Sequence, residues 1–141
     1  ALPDDGESAR WEEVVTMEID GKLFGVMMAD GDRFRVFLVN RTDTSYTNVV
    51  CRTGAWVTCD RELLETSVST KEMGQLPAGA MLQIDESDVY ELDFTIWYEL
   101  TLTAEDGSEK LVRCSIRKYG RVDDSQFVEE FGREVGVMKV E

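Results

Sequence analysis

The chain has 141 residues, 29 of them acidic and 15 basic, for a net charge of −14, with no histidine and three cysteines. That length suits one domain with its own core. The missing histidine removes His-dependent Ser and Cys nucleophiles and most zinc and non-haem iron sites, and scattered Lys and Arg in so acidic a chain would meet nucleic-acid phosphate with net repulsion.

Residues 1–10 hold Pro3, Asp4, Asp5, Gly6 and Glu7 and read as a loose acidic N-terminus. Residues 11–141 read as a single domain. Its start, residues 11–40, reads as a three-stranded meander. Val15, Met17 and Ile19 alternate up to Asp20-Gly21, a strong two-residue hairpin signal. A second strand ends at Ala29-Asp30-Gly31. A three-residue loop there would set Val26 opposite Phe34 and Phe24 opposite Val36. One apolar face would then run through Val15, Met17, Phe24, Val26, Phe34, Val36 and Leu38, with Phe37 and Val39 behind it.

Residues 40–46 are a polar loop, and Asn40-Arg41-Thr42 matches a glycosylation sequon, a triplet that also arises by chance. Residues 47–59 read either as a hairpin about Thr53-Gly54 or as one strand bulged at Gly54. Arg61 to Glu65 suggests a helical turn, Thr66 to Thr70 an edge strand and Ala80 to Ile84 a short strand. Asp85-Glu86-Ser87-Asp88 reads as a polar turn.

The most legible stretch is Val89 to Tyr119. Tyr90, Leu92, Phe94, Ile96, Tyr98, Leu100 and Leu102 alternate with polar residues, the pattern of a half-buried strand. A three-residue loop, Glu105 to Gly107, sets Leu100 opposite Val112, Tyr98 opposite Cys114 and Ile96 opposite Ile116, with Glu99 across from Arg113 on the outer face. Trp97 and Leu111 break the polar face. Either neighbouring segments cover them, or they mark a contact surface. Further on, Phe127, Val128, Phe131, Val135 and Met138 recur at helical spacing after Asp123 and Gln126, which predicts a short C-terminal α-helix over about 123–136. Gly132 and Gly136 weaken it, and Val137 to Val140 offers a last strand instead.

About eight short strands separated by turns predict a mainly β fold, an antiparallel two-sheet sandwich with that one helix. The spacing of the strands, and Phe37-Leu38-Val39-Asn40 ahead of a polar loop, resemble immunoglobulin-like domains over residues 13–119. The resemblance is one of architecture, and no functional residue carries over from it.

No catalytic, cofactor-binding or metal motif stands out: GxGxxG and GxxxxGK[ST] are absent, and no cofactor is expected. Asp85, Glu86 and Asp88 lack EF-hand spacing. Glu91, Asp93 and Glu99 would share a strand face, where solvated acids are the ordinary outcome. The chain therefore reads as a non-enzymatic interaction module, binding a protein partner or a second copy through a sheet edge or an apolar patch around Trp97, Leu111 and Trp56. The alternatives are a carboxylate-based enzyme or sugar-binding sandwich, and an acidic mimic of nucleic acid. An odd number of cysteines without CxxC spacing argues against a disulfide framework and for a reducing, cytoplasmic compartment. No stretch is long and apolar enough to span a membrane, so no membrane partner is expected.

Overall fold

A computed structural model describes residues 22–140. The expected strand at Val15 to Ile19, its Asp20-Gly21 turn and the acidic stretch 1–10 lie outside the described residues. The described chain is mainly β, in two antiparallel sheets.

The first sheet begins with a hairpin of β1 (Leu23–Asp30) and β2 (Arg33–Asn40). Its turn is Gly31-Asp32, two residues rather than three, with Gly31 at φ +64°. Val26 therefore pairs with Phe37 and Phe24 with Val39. An offset of odd size reverses which side chains share a face. Phe24 and Val26 sit on the opposite face from Phe34, Val36 and Leu38, so the single continuous face expected from the sequence is not formed.

The second sheet is built on β3, one strand of 14 residues (Tyr46–Cys59) with neither hairpin nor bulge at Gly54. One of its edges carries β4 (Glu62–Glu65) and β5 (Ser69–Leu76). The expected helical turn at Arg61 to Glu65 is instead a hairpin strand. It is reached through Asp60 and Arg61, both left-handed at φ 52° and 70°, the geometry that matches strand twist in a two-residue hairpin. β6 (Met81–Asp88) returns to the first sheet beside β2. It absorbs the acidic run expected as a turn, with Arg33 of β2 set against Glu86 at 3.4 Å and Asp88 at 3.2 Å.

Val89–Asp93 forms a 3₁₀ turn, so the long strand begins later than its alternation suggests. β7 runs Thr95–Ala104, β8 runs Glu109–Ile116, and Tyr90 is left 79% exposed. The β7–β8 register is the expected one: Leu100 with Val112, Tyr98 with Cys114, Ile96 with Ile116 and Glu99 with Arg113. Gly107 takes φ +87° in the three-residue loop.

The C-terminal α-helix over 123–136 is not formed. β9 (Asp124–Val128) and β10 (Arg133–Lys139) make a hairpin instead, turning at Gly132 with φ +64°. β10 pairs with β1, so Val135 and Val137 fill a central position in the first sheet, ordered β6-β2-β1-β10-β9. Two glycines and β-branched residues cost a helix more than they cost a paired strand.

The inner faces share one core. Leu23, Phe34, Val36, Leu38 and Met138 of the first sheet pack with Val49, Tyr98, Leu100, Leu102, Val112 and Ile116 of the second. The other face of the first sheet carries a second apolar cluster of Phe24, Val26, Val39, Val135 and Val137, each at most 4% exposed. Phe131 stands edge-on to Phe37 there at 4.9 Å, and Arg41 lies over the Phe24 ring while bonded to Glu130. No helix among the described residues is long and apolar enough to cross a membrane.

Candidate functional site

The outer face of the second sheet is laid out in rows by the β3–β7–β8 registers. Val50, Thr101 and Leu111 make one row, Arg52, Glu99 and Arg113 the next, then Gly54, Trp97 and Ser115, and finally Trp56 beside Thr95. Trp56, Trp97 and Leu111 thus stand on a single face although they are up to 55 positions apart in the chain.

Their exposures differ for local reasons. Leu111 is 50% exposed because β8 is the last strand of that sheet among the described residues, and Trp56 is 39% exposed at the far end of the face. Trp97 is half-buried against its own sheet. Its ring lies flat over Gly54, where an added Cβ would come within 2.7 Å of Cζ2. The Arg52 guanidinium sits 5.7 Å from the ring centre. A glycine opposite an aromatic ring lets the ring lie down on the sheet and shield the backbone.

Glu99 holds the middle of the face. Arg52 Nη1 donates to its Oε1 at 2.6 Å and Arg113 Nε to its Oε2 at 3.0 Å. The bond from Arg52, then that from Arg113, holds the Glu99 carboxyl below the usual carboxylate range. A carboxylate kept ionised by two guanidinium groups is a poor general acid and a weak base. Glu91 and Asp93, expected beside it, lie in the 3₁₀ turn and are not on this strand face.

Two clefts adjoin the sheets. A cleft of about 470 Å³ runs past Trp97, Glu99, Arg113, Arg117 and Asp123. It brings two acids and an aromatic together, but Asp123 is paired to Arg117 at 3.1 Å and also accepts the Lys139 N–H at 2.7 Å. A second cleft, of about 380 Å³, includes Asp85, Glu91, Thr53 and Ser87. Asp85 accepts the Tyr98 hydroxyl at 2.7 Å and the Glu86 N–H at 2.9 Å. Burial, and then Asp85 itself, pushes the Tyr98 phenol far up, so Tyr98 remains a hydrogen-bond donor. Strand alternation also separates Asp85 from Glu86 and Asp88, which face Arg33, so the acidic run does not converge on one point.

Burial pushes the Cys51 thiol up to about 11 and the Cys114 thiol to about 12, which keeps both protonated and unreactive. All three cysteines are free, Cys59 on the surface. Among the described residues no group of three or more Cys, Asp or Glu side chains is arranged to hold a metal ion. The sequon serves the fold: Asn40 is buried, its amide donates to the Thr44, Leu76 and Pro77 carbonyls, and its Oδ1 accepts the Thr42 N–H. Folded, Asn40 has no free amide to carry a glycan.

Sequence reasoning found the Glu99–Arg113 pair but missed Arg52, because its place depends on pairing strands 47 residues apart. It also missed the exposed Tyr119, 68% accessible and left-handed at φ 69°. No protein-family model matches this chain, and no curated protein matches it in sequence.

Proposed function

We propose that this protein is a non-enzymatic interaction module whose contact surface for a protein partner is the outer face of the second sheet. The observation that carries this reading is the meeting of Trp56, Trp97 and Leu111 on one face, around the Arg52–Glu99–Arg113 row. Large apolar and aromatic groups flanked by arginine are the composition of interface hot spots. Affinity capture with the wild type and with a Trp56→Ser/Leu111→Ser double variant tests it. Proteins held by the wild type should be released by the variant, with affinity down about 100-fold. Identical capture by both, with folding intact, would end the reading.

A second reading, a sugar-binding sandwich or carboxylate enzyme, draws support from the 470 Å³ cleft where Trp97 stands beside Glu99 and Asp123. The arginine pairing of both acids favours binding over catalysis. Calorimetric titration with neutral oligosaccharides would decide it, and no heat at millimolar sugar would remove it. The nucleic-acid mimic is weakest, because Glu86, Asp88, Glu99, Asp123 and Glu130 each stand beside an arginine instead of in a free anionic row. The immunoglobulin-like comparison supports the module reading only as two packed antiparallel sheets. Free thiols, two of them buried, favour a reducing compartment such as the cytoplasm.

A further inference from the structure

The sheet edges are not equally protected. β4 is four residues long and β9 five; the pairing of β6 with β2 and that of β5 with β3 are both broken by register shifts. Short or bulged edges resist pairing with another chain. β8 is different: eight residues, no proline or glycine, and an unbroken ladder with β7.

Its free backbone groups can be assigned. The Ala104 N–H donates to the Ser108 carbonyl at 2.8 Å, making Ala104–Ser108 a hydrogen-bonded pair. Alternation then turns the backbone groups of Lys110, Val112 and Cys114 toward β7. Those of Glu109, Leu111, Arg113 and Ser115 point away from β7, to an edge that has no strand beside it among the described residues.

We propose that two copies of this chain form a two-fold dimer by antiparallel pairing of β8 with β8, with Leu111 on the dyad. This deepens, and rests on, the reading of the second sheet's surface as a contact surface. With Leu111 opposite Leu111 of the second copy, Glu109 faces Arg113 of the second copy, and Arg113 faces its Glu109. Every one of these positions has outward backbone groups, so the three pairs exchange about six hydrogen bonds. The pairing satisfies the rule that a two-fold interface must complement itself.

The neighbouring registers place less favourable side chains opposite one another. A dyad at Val112 sets Leu111 against Arg113, and a dyad at Arg113 sets two guanidinium groups together. A dyad between residues opposes outward groups to inward ones. Arg113 has capacity for the contact: its Nε binds Glu99, and its two terminal nitrogens have no partner among the described residues. On the inner face the Lys110 stem lies along Val112 of the second copy, with its ammonium in water.

Sedimentation equilibrium over a protein series up to about 1 mM tests the inference. The wild type should move from monomer to dimer mass. Glu109→Arg, Arg113→Glu and Leu111→Lys should each weaken the dimer at least about tenfold, since each sets like charges across the dyad. An equimolar mixture of Glu109→Arg with Arg113→Glu should recover a mixed dimer, because one ion pair re-forms with reversed sign and the other keeps its native sign. Leu111→Lys leaves the Glu99 pair untouched and so covers the case in which Arg113→Glu fails to fold. Monomer mass throughout, a dimer indifferent to all three changes, or a mixture of folded variants that stays monomeric would each overturn it. Trp56→Ser lies away from β8, so loss of partner capture there without change in dimer mass separates failure of the edge from failure of the face.

Discussion

The β1–β2 and β7–β8 hairpins are similar in length and both turn through a glycine and an aspartate, yet only one has a register that can be read from its residues. In β7–β8 one face is apolar and the other polar: Leu100 is buried and its neighbours Glu99 and Thr101 lie on the outer face. A slip of one residue would expose the whole core set, so burial selects a single loop length. In β1–β2 both faces are apolar and both are buried, Leu38 at 0% and Val39 at 1% exposure. A slip there exchanges one apolar set for another, and the hydrophobic pattern no longer discriminates. Register information resides in the contrast between faces, not in total hydrophobicity.

Truncations should break the comparison most sharply. Leu100→Ala should cost about 3 kcal/mol of stability and the adjacent Thr101→Ala less than about 0.5 kcal/mol. In the other hairpin both adjacent positions should cost: Leu38→Ala about 3 kcal/mol and Val39→Ala about 2 kcal/mol. Urea unfolding measures all four, and a cheap Val39→Ala would mean that the second face is not the packed cluster described.

Gly54→Ala comes next. The new Cβ would meet the Trp97 ring at 2.7 Å and lift it from the sheet. The expected cost is about 1–2 kcal/mol, with a change in tryptophan emission as the ring becomes wetter. Unchanged emission would show that the ring does not lie on Gly54.

The two turn glycines should behave alike despite the difference in loop length. Gly31 and Gly107 have φ of +64° and +87° with open space around them, so Ala at either meets backbone strain alone. Each should lose about 1 kcal/mol in thermal or urea unfolding.

The smallest effect sharpens the polar side of the comparison. The Glu99 carboxyl lies below its ordinary value of 4.5 when folded. A depressed value means that its contribution to stability is complete above that ordinary value and is lost as pH falls through the folded one. Glu99→Gln should therefore lower stability at neutral pH and converge with the wild type in acid. Parallel unfolding curves at every pH would remove the Arg52–Glu99–Arg113 row as a working ion network.

Much of the candidate site was visible in advance. Trp97 and Leu111 stood out as apolar residues on a polar strand face, and Glu99 with Arg113 followed from the hairpin register. Arg52 and the glycine under Trp97 did not, because both depend on β3 lying beside β7. The C-terminal segment failed for the same reason. Phe127, Val128, Phe131 and Val135 fit a helix as well as they fit a hairpin, and Gly132 and Gly136 only weakened the first option. The choice was made by β1, more than a hundred positions earlier, which pairs with β10 from Gly136 to Lys139.

What the residues alone determined is therefore local: the β class, the turns that need a glycine, and the register of the one hairpin whose faces differ. Adjacent side chains and the next few positions carry that information, because alternation and turn geometry act within about ten residues. The tertiary structure decided the rest. It settled which face of β1–β2 meets the second sheet, which strand claims the C-terminus, and which three side chains share an outer surface. Each of those depends on pairing between segments far apart in the chain, where burial and backbone hydrogen bonds outweigh intrinsic preference.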